Sequence, residues 1–181
     1  NWTKHWDGGA RDILLAQDYS RASLETVASD AVRFARDPRQ ITIEGRPLFL
    51  VYRPKLIPNI DEMTRMVREA FERAGFPGVC LAYVESMETA TLGLRPEDIG
   101  FDASVQFPPH GVGVEETSPV VPLKENWAGK RYSYVDTVIN DVAAGAKPYK
   151  SFPAAFAGWD NTPRQPLLAH SFDGARPEVF Q

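Results

Sequence analysis

Apolar positions along the chain follow two rhythms, one helical and one of short continuous runs. Over residues 20–35, Leu24, Val27, Ala31 and Phe34 recur at spacings of three and four, which predicts an amphipathic helix with Ser20 as N-cap and Asp37-Pro38 as its stop. Residues 41–43 are read as a short strand turning back across Glu44-Gly45. A central strand over 48–53 follows, closed by Pro54. Asn59 or Asp61 then caps a second helix, with Met63, Val67, Ala70 and Ala74 inward and Arg65, Arg68, Glu69, Glu72 and Arg73 in water. Gly75 ends it. The unbroken apolar run 79–84 predicts a strand covered on both faces. A single helical turn near Pro96 leads to a third strong strand at 101–107. Residues 108–131 show no periodicity and read as an elaborated loop. Ser133 caps a helix to about 144, with Val135, Val138, Ile139 and Val142 inward, and 154–158 is the expected fourth strand. A turn or helix begins after Asp173.

Strands alternating with helices predict an α/β fold of parallel strands joined by right-handed crossovers. Sheets of this kind place ligands beyond the carboxyl ends of their strands. Arg53, Glu85, His110, Trp159, Asp160 and Asn161 are therefore expected to share one rim. A Rossmann or phosphate-loop reading fails, because no GxGxxG or GxxxxGK[ST] follows any strand. The 181 residues are too few for a complete β/α barrel, which takes about 250. The chain opens in mid-motif without Met and is expected to be one piece of a larger domain.

Composition narrows the partners. With 43% hydrophobic and 24% charged residues the chain belongs with folded proteins, and its net charge of −4 argues against nucleic acid. No apolar run approaches the roughly 20 residues of a bilayer span, and no secretory leader is visible, so the expected location is cytoplasmic. Cys80 is the single cysteine, read as a buried small hydrophobe, and no intrachain disulfide can form. His5, His110 and His170 lack metal-ligand spacing; neither metal nor cofactor is expected.

Five segments carry a family resemblance: Asn-Trp-Thr-Lys-His-Trp-Asp-Gly at 1–8, Leu-Ala-Gln-Asp-Tyr-Ser at 15–20, Phe-Leu-Val-Tyr-Arg-Pro at 49–54, Gly-Phe-Asp-Ala-Ser-Val-Gln-Phe-Pro-Pro-His at 100–110 and Gly-Trp-Asp-Asn-Thr-Pro-Arg at 158–164. Together, and in this order, they resemble the WbsX-type domain, which is similar to glycoside hydrolase family 99. The resemblance implies part of a TIM-like β/α barrel, spanning the middle portion of one such domain over 1–181. It implies an enzyme acting on glycosidic bonds in the assembly or processing of lipopolysaccharide or O-antigen polysaccharide, with a glycan or glycoconjugate as partner. It also implies a catalytic pair of glutamates in a segment beyond Gln181, and a further Glu just before Asn1.

The candidate contacts are read beside plainer alternatives. Trp2 and Trp6 lie in a loop that the resemblance puts on the catalytic face, where indoles stack on sugar rings or fasten the loop. Arg53 could grip a carboxylate or phosphate bidentately, or brace a neighbouring acid. Glu85 follows a buried strand as a substrate-binding acid or a structural carboxylate. It is one carboxylate, where glycoside cleavage takes two. His110, directed away from its strand end by Pro108-Pro109, is a sugar contact or a structural hydrogen-bonder. Trp159, Asp160 and Asn161 combine a stacking face, an acceptor and an amide. Hydrolysis and transfer remain open, although no diphosphate-binding loop is visible, and a non-catalytic glycan-binding or scaffold domain is the alternative.

Overall fold

The computed structural model describes residues 2–4, 9–86, 89, 93–117 and 125–180. The chain divides into two compact units. One comprises Asp18–Gly111 with Lys147–Ala154, and the other Asn1–Gln17, Val112–Ala146 and Ala155–Gln181.

The first unit is built on a five-stranded sheet. In chain order its elements are α1 (Arg21–Ala35), β3 (Thr42–Ile43), β4 (Arg46–Val51), a 3-10 turn (Pro54–Leu56), α2 (Ile60–Arg73), β5 (Cys80–Val84), a second 3-10 turn (Pro96–Ile99), β6 (Ala103–Val105) and β8 (Ser151–Phe152). The strands lie in the order β3-β4-β5-β6-β8. The β3-β4 hairpin is antiparallel and every other pairing is parallel, with Leu48 opposite Cys80, Ala82 opposite Ala103 and Ser104 opposite Ser151. The sheet is mixed, mostly parallel, and curled into a half-barrel.

Alternation along the strands sorts its two faces. Phe49, Val51, Leu81 and Tyr83 pack with Leu24, Ala28, Met63, Val67 and Phe71 of the helices. Leu50, Ala82 and Val105 therefore belong to the opposite, concave face. Ser20 caps α1 as expected, its hydroxyl accepting from the Ser23 N–H. The buried stripe of α1 is Leu24, Ala28, Ala31 and Ala35, however, and Val27 and Phe34 are exposed. Small alanines let the helix lie close on its neighbours, whereas sequence periodicity weights the bulkiest side chains. Phe34 instead carries the Arg33 guanidinium 4.8 Å above its ring. In α2 the stripe runs through Met63, Met66, Val67 and Phe71. The fourth parallel strand is β8 and not residues 154–158, since Pro153 has no N–H with which to extend the ladder. The Ala154 N–H donates to the Gln106 Oε1 at 3.2 Å.

The second unit holds β1 (Trp2–Lys4), β2 (Gly9–Leu15), β7 (Lys130–Ser133), α3 (Tyr134–Ala144), β9 (His170–Asp173) and α4 (Pro177–Phe180). β1 and β2 form an antiparallel pair, and β7 and β9 a parallel one. The expected loop over 108–131 thus ends in a strand, with Glu116 bridged to Tyr132. Ser133 caps α3, as expected. The helix is anchored by Tyr134 and Thr137 at its first turn, while Ile139 and Val142, expected inward, are 57% and 76% exposed. Tyr134 donates to the Phe156 carbonyl at 2.7 Å and packs edge-on against its ring.

One carboxylate ties the amino-terminal edge of the sheet. Asp102 donates its N–H to the Leu81 carbonyl, and its Oδ2 accepts the Leu81 N–H at 2.8 Å, so the residue closes a ring on β5. The same Oδ2 takes Arg68 of α2 at 3.0 Å, and Oδ1 takes Arg46 of β4 at 3.3 Å. Arg68 also donates to the carbonyls of Val79 and Gly100. Gly100 leaves the 3-10 turn at φ 74°, and a Cβ there would sit 3.1 Å from the Thr64 hydroxyl oxygen. Asp102→Ala strands a backbone donor and two guanidinium groups, and is expected to cost about 2–4 kcal/mol. Urea unfolding checks this: the midpoint should fall with the m-value unchanged.

Candidate functional site

Because β4, β5 and β6 run parallel, their carboxyl ends lie along one edge of the sheet. Three expected site residues follow those ends: Arg53 after β4, Glu85 after β5 and His110 beyond β6. Their surroundings differ. Arg53 is exposed and forms the N-cap of the 3-10 turn, where Pro54 at the first position ends the strand.

Glu85 is 5% exposed. Its N–H still donates to the Val105 carbonyl, extending the ladder one residue past the strand. Its Oε1 accepts the Ser104 hydroxyl at 2.7 Å and the Tyr149 phenol at 3.2 Å, and Lys147 stands 4.0 Å from Oε2. The Ser104 hydroxyl is also 2.9 Å from that of Ser151. Ser104 is paired with Tyr83, whose ring belongs to the helix-side core, so the carboxylate sits on that side of the sheet. Its contacts lace β5, β6 and β8 together just under their ends. Burial first, and then the neighbouring Glu85 charge, push the Tyr149 phenol above its ordinary range.

The concave side presents a different group. Tyr52 and Phe107 follow β4 and β6, with β5 between them, yet their rings meet edge to face at 5.8 Å. The contact requires both to lean inward over β5, as alternate strands of a curled sheet do. The two rings are 54% and 43% exposed. His110 is expected to point away from the strand end. It folds back instead: its N–H donates to the Phe107 carbonyl at 3.1 Å and its ring lies 5.7 Å from Phe107. The sequence reading singles out neither Tyr52 nor Phe107 as a contact. The usable signal was their shared alternation with Leu50 and Val105.

Trp159, Asp160 and Asn161 belong to the second unit. They lie as an irregular strand against β9: Phe172 donates to the Trp159 carbonyl, Asp160 bridges Ser171, and the Asn161 Oδ1 accepts the His170 N–H at 2.6 Å. The Asn161 amide is thus engaged with backbone. The Thr162 hydroxyl and N–H both donate to the Asp160 carboxylate and hold it below the usual carboxylate range. Trp159 is 52% exposed. Beside them Tyr132, His170 and Phe172 form an aromatic row, with the Tyr132 hydroxyl 3.2 Å from the His170 Nδ1. Trp2 is described through its backbone alone, as the first residue of β1, and Trp6 lies outside the described residues. Among the described residues, no group of three or more His, Cys, Asp or Glu is placed to hold a metal ion. Nor, among them, is any helix long and apolar enough to cross a membrane.

Comparison with known proteins decides the family. The model of the family described as "Glycosyltransferase WbsX" matches residues 1–181. The chain belongs to the WbsX glycosyltransferase family. Two curated relatives, each described as "Uncharacterized protein WxcX" and drawn from two strains of Xanthomonas campestris pv. campestris, are 30% identical over 185 residues. Those matches take in 99% of this chain and 26% of each relative, so the chain spans about a quarter of their length. No solved structure matches it. A WbsX-family domain thus carries a parallel sheet whose carboxyl edge presents Arg53, Tyr52, Phe107 and His110.

Burial lowers the His110 imidazole below its ordinary 6.5, because the cation is the form that loses solvation. The unfolded chain binds this proton more readily than the folded one. Stability from this group is therefore complete above the unfolded value, and declines as pH falls from 6.5 through the folded value. His110→Gln should flatten that part of the stability–pH curve. The His110 Cε1–H resonance should titrate on the acid side of an unfolded reference.

Proposed function

We propose that this chain is the glycan-positioning portion of a carbohydrate-active enzyme whose fold is a TIM-like β/α barrel, acting on glycosidic bonds in polysaccharide assembly or processing of the lipopolysaccharide or O-antigen type. The observation that carries the proposal is the join of two facts: membership of a glycosyltransferase family, and a parallel sheet with aromatic, imidazole and guanidinium side chains at its carboxyl edge. Parallel β/α sheets place their chemistry at that edge, and sugars take stacking faces with neutral hydrogen-bonding groups beside them.

In this proposal Arg53 and His110 are substrate contacts at the carboxyl edge of the first unit's sheet. Trp159, Asp160 and Asn161, with Trp2 and Trp6, are proposed as sugar contacts on the strength of their residue types alone. Glu85 serves from below, holding the ends of β5 and β6 in register. Glycoside cleavage generally takes two carboxyl groups, about 5–5.5 Å apart for retention or ~6.5–9.5 Å for inversion. Of the three expected residues following β4, β5 and β6, Glu85 alone bears a carboxyl group. The proposal accordingly assigns bond cleavage or transfer to glutamates elsewhere in the protein, and a cytoplasmic location to the whole.

Separating positioning from chemistry tests this. Trp159→Ala removes a surface that contacts sugar in ground and transition states alike. It should raise KM roughly 3- to 10-fold with kcat changed less. Replacing a catalytic glutamate should depress kcat, since that group acts on charge that moves in the transition state. Steady-state kinetics on a defined oligosaccharide, monitored by mass spectrometry, reads both. A Trp159→Ala protein with unchanged KM and unchanged Tm would exclude Trp159 as a sugar platform and as a structural brace.

A further inference from the structure

Tyr52, Phe107 and His110 make a compact group on the concave side of the sheet that neither the family match nor the sequence motifs single out as a unit. The rings of Tyr52 and Phe107 meet at 5.8 Å and an interplanar angle of 85°. Phe107 and His110 lie 5.7 Å apart at 33°. Phe107 is thus flanked by both partners, and the backbone bond from His110 to the Phe107 carbonyl fixes the turn that brings the imidazole back. Despite this restraint, Tyr52 and Phe107 each keep about half their surface in water. A fold that fixes two aromatic rings without covering them leaves a small preformed apolar surface.

We infer that Tyr52, Phe107 and His110 form a seat for a single neutral pyranose ring, with its C–H face on the two aromatic rings and a hydroxyl on the imidazole. The inference rests on the glycan reading above and specifies a subsite within it. Size decides against a protein partner. An aromatic side chain offers about 150–250 Å² in all, so two half-exposed rings present roughly 150–250 Å² together. A stable protein interface needs about 800 Å² per partner. One sugar ring fits the smaller area. Chemistry decides the polarity: a half-buried imidazole kept neutral offers a donor and an acceptor, which suits a hydroxyl better than a carboxylate or phosphate.

The test uses the protein with a neutral methyl pyranoside as probe. Phe107→Leu and Tyr52→Leu should each weaken binding about fivefold in titration calorimetry, the scale of one lost aromatic contact. Phe107→Tyr, which keeps the ring, should restore affinity. Titrated probe should shift the His110 Cε1–H resonance in both proteins, with the midpoint at about fivefold higher probe in Phe107→Leu. If Phe107→Leu fails to fold, Tyr52→Leu carries the same comparison. Unchanged affinity in the leucine variants, with Trp159→Ala still weakening glycan binding, would overturn the seat and leave the glycan reading standing. A protein that binds no glycan at all would overturn both. Concentration-dependent dimerisation abolished by Phe107→Leu would show that a second copy covers the rings, and would overturn the seat as well.

Discussion

The sheet depends on how its strands are held at their amino-terminal ends. Asp102 supplies that constraint by answering three elements with one carboxylate: the Leu81 N–H in β5, Arg46 in β4 and Arg68 in α2. A carboxylate with 22% of its side chain exposed is desolvated enough for those bonds to matter. Arg68 carries the restraint onward to the carbonyls of Val79 and Gly100, the segments that lead into β5 and β6. With the entries of β4, β5 and β6 set, the positions of their exits follow, and the residues beyond those exits acquire fixed places.

The two edges of the sheet consequently do different work. At the entry edge, charges neutralise one another. At the exit edge the buried carboxylate, Glu85, is shared with hydroxyl donors from Ser104 and Tyr149, and its lysine stands 4.0 Å away. Above it, on the concave side, the exposed groups are rings. β/α folds in general gather stabilising contacts at the amino ends of their strands and ligand sites at the carboxyl ends, because crossover helices and tight turns close one end while longer loops open at the other.

Much of this was legible in the sequence, and the failures share a cause. The alternation of elements, the Ser20 and Ser133 caps, the turn at Glu44-Gly45 and the largely buried β5 all depend on local chemistry, which a linear reading captures. The α1 stripe was misread because Ala28 and Ala35 bury by fitting closely and carry little hydrophobic weight. Strand β8 was placed three residues late because apolar character at 154–158 outweighed the donor missing at Pro153. The parallel pairing of β7 with β9 joins residues 40 apart, Lys130 with His170, and no local pattern encodes it. The places of Arg53 and His110 beyond strand ends were readable from the sequence. The contact between Tyr52 and Phe107 was not, because it is a property of curvature.

The sheet is also discontinuous along the chain. Strand β6 is complete at Val105, but its outer partner β8 begins at Ser151, and the Ser104–Ser151 contact spans 47 residues. A ribosome adding about 5–20 residues per second leaves that edge of β6 unpaired for roughly 2–9 s. During the wait, Ser104 and the buried Glu85 lack Ser151, Tyr149 and Lys147, so the polar lacing beneath the exit edge is the last part of the sheet to close. An unpaired parallel edge is what chaperones protect and what misassembly exploits. The short β8, only two residues long, closes it late, and leaves little strand of its own to pair wrongly beforehand.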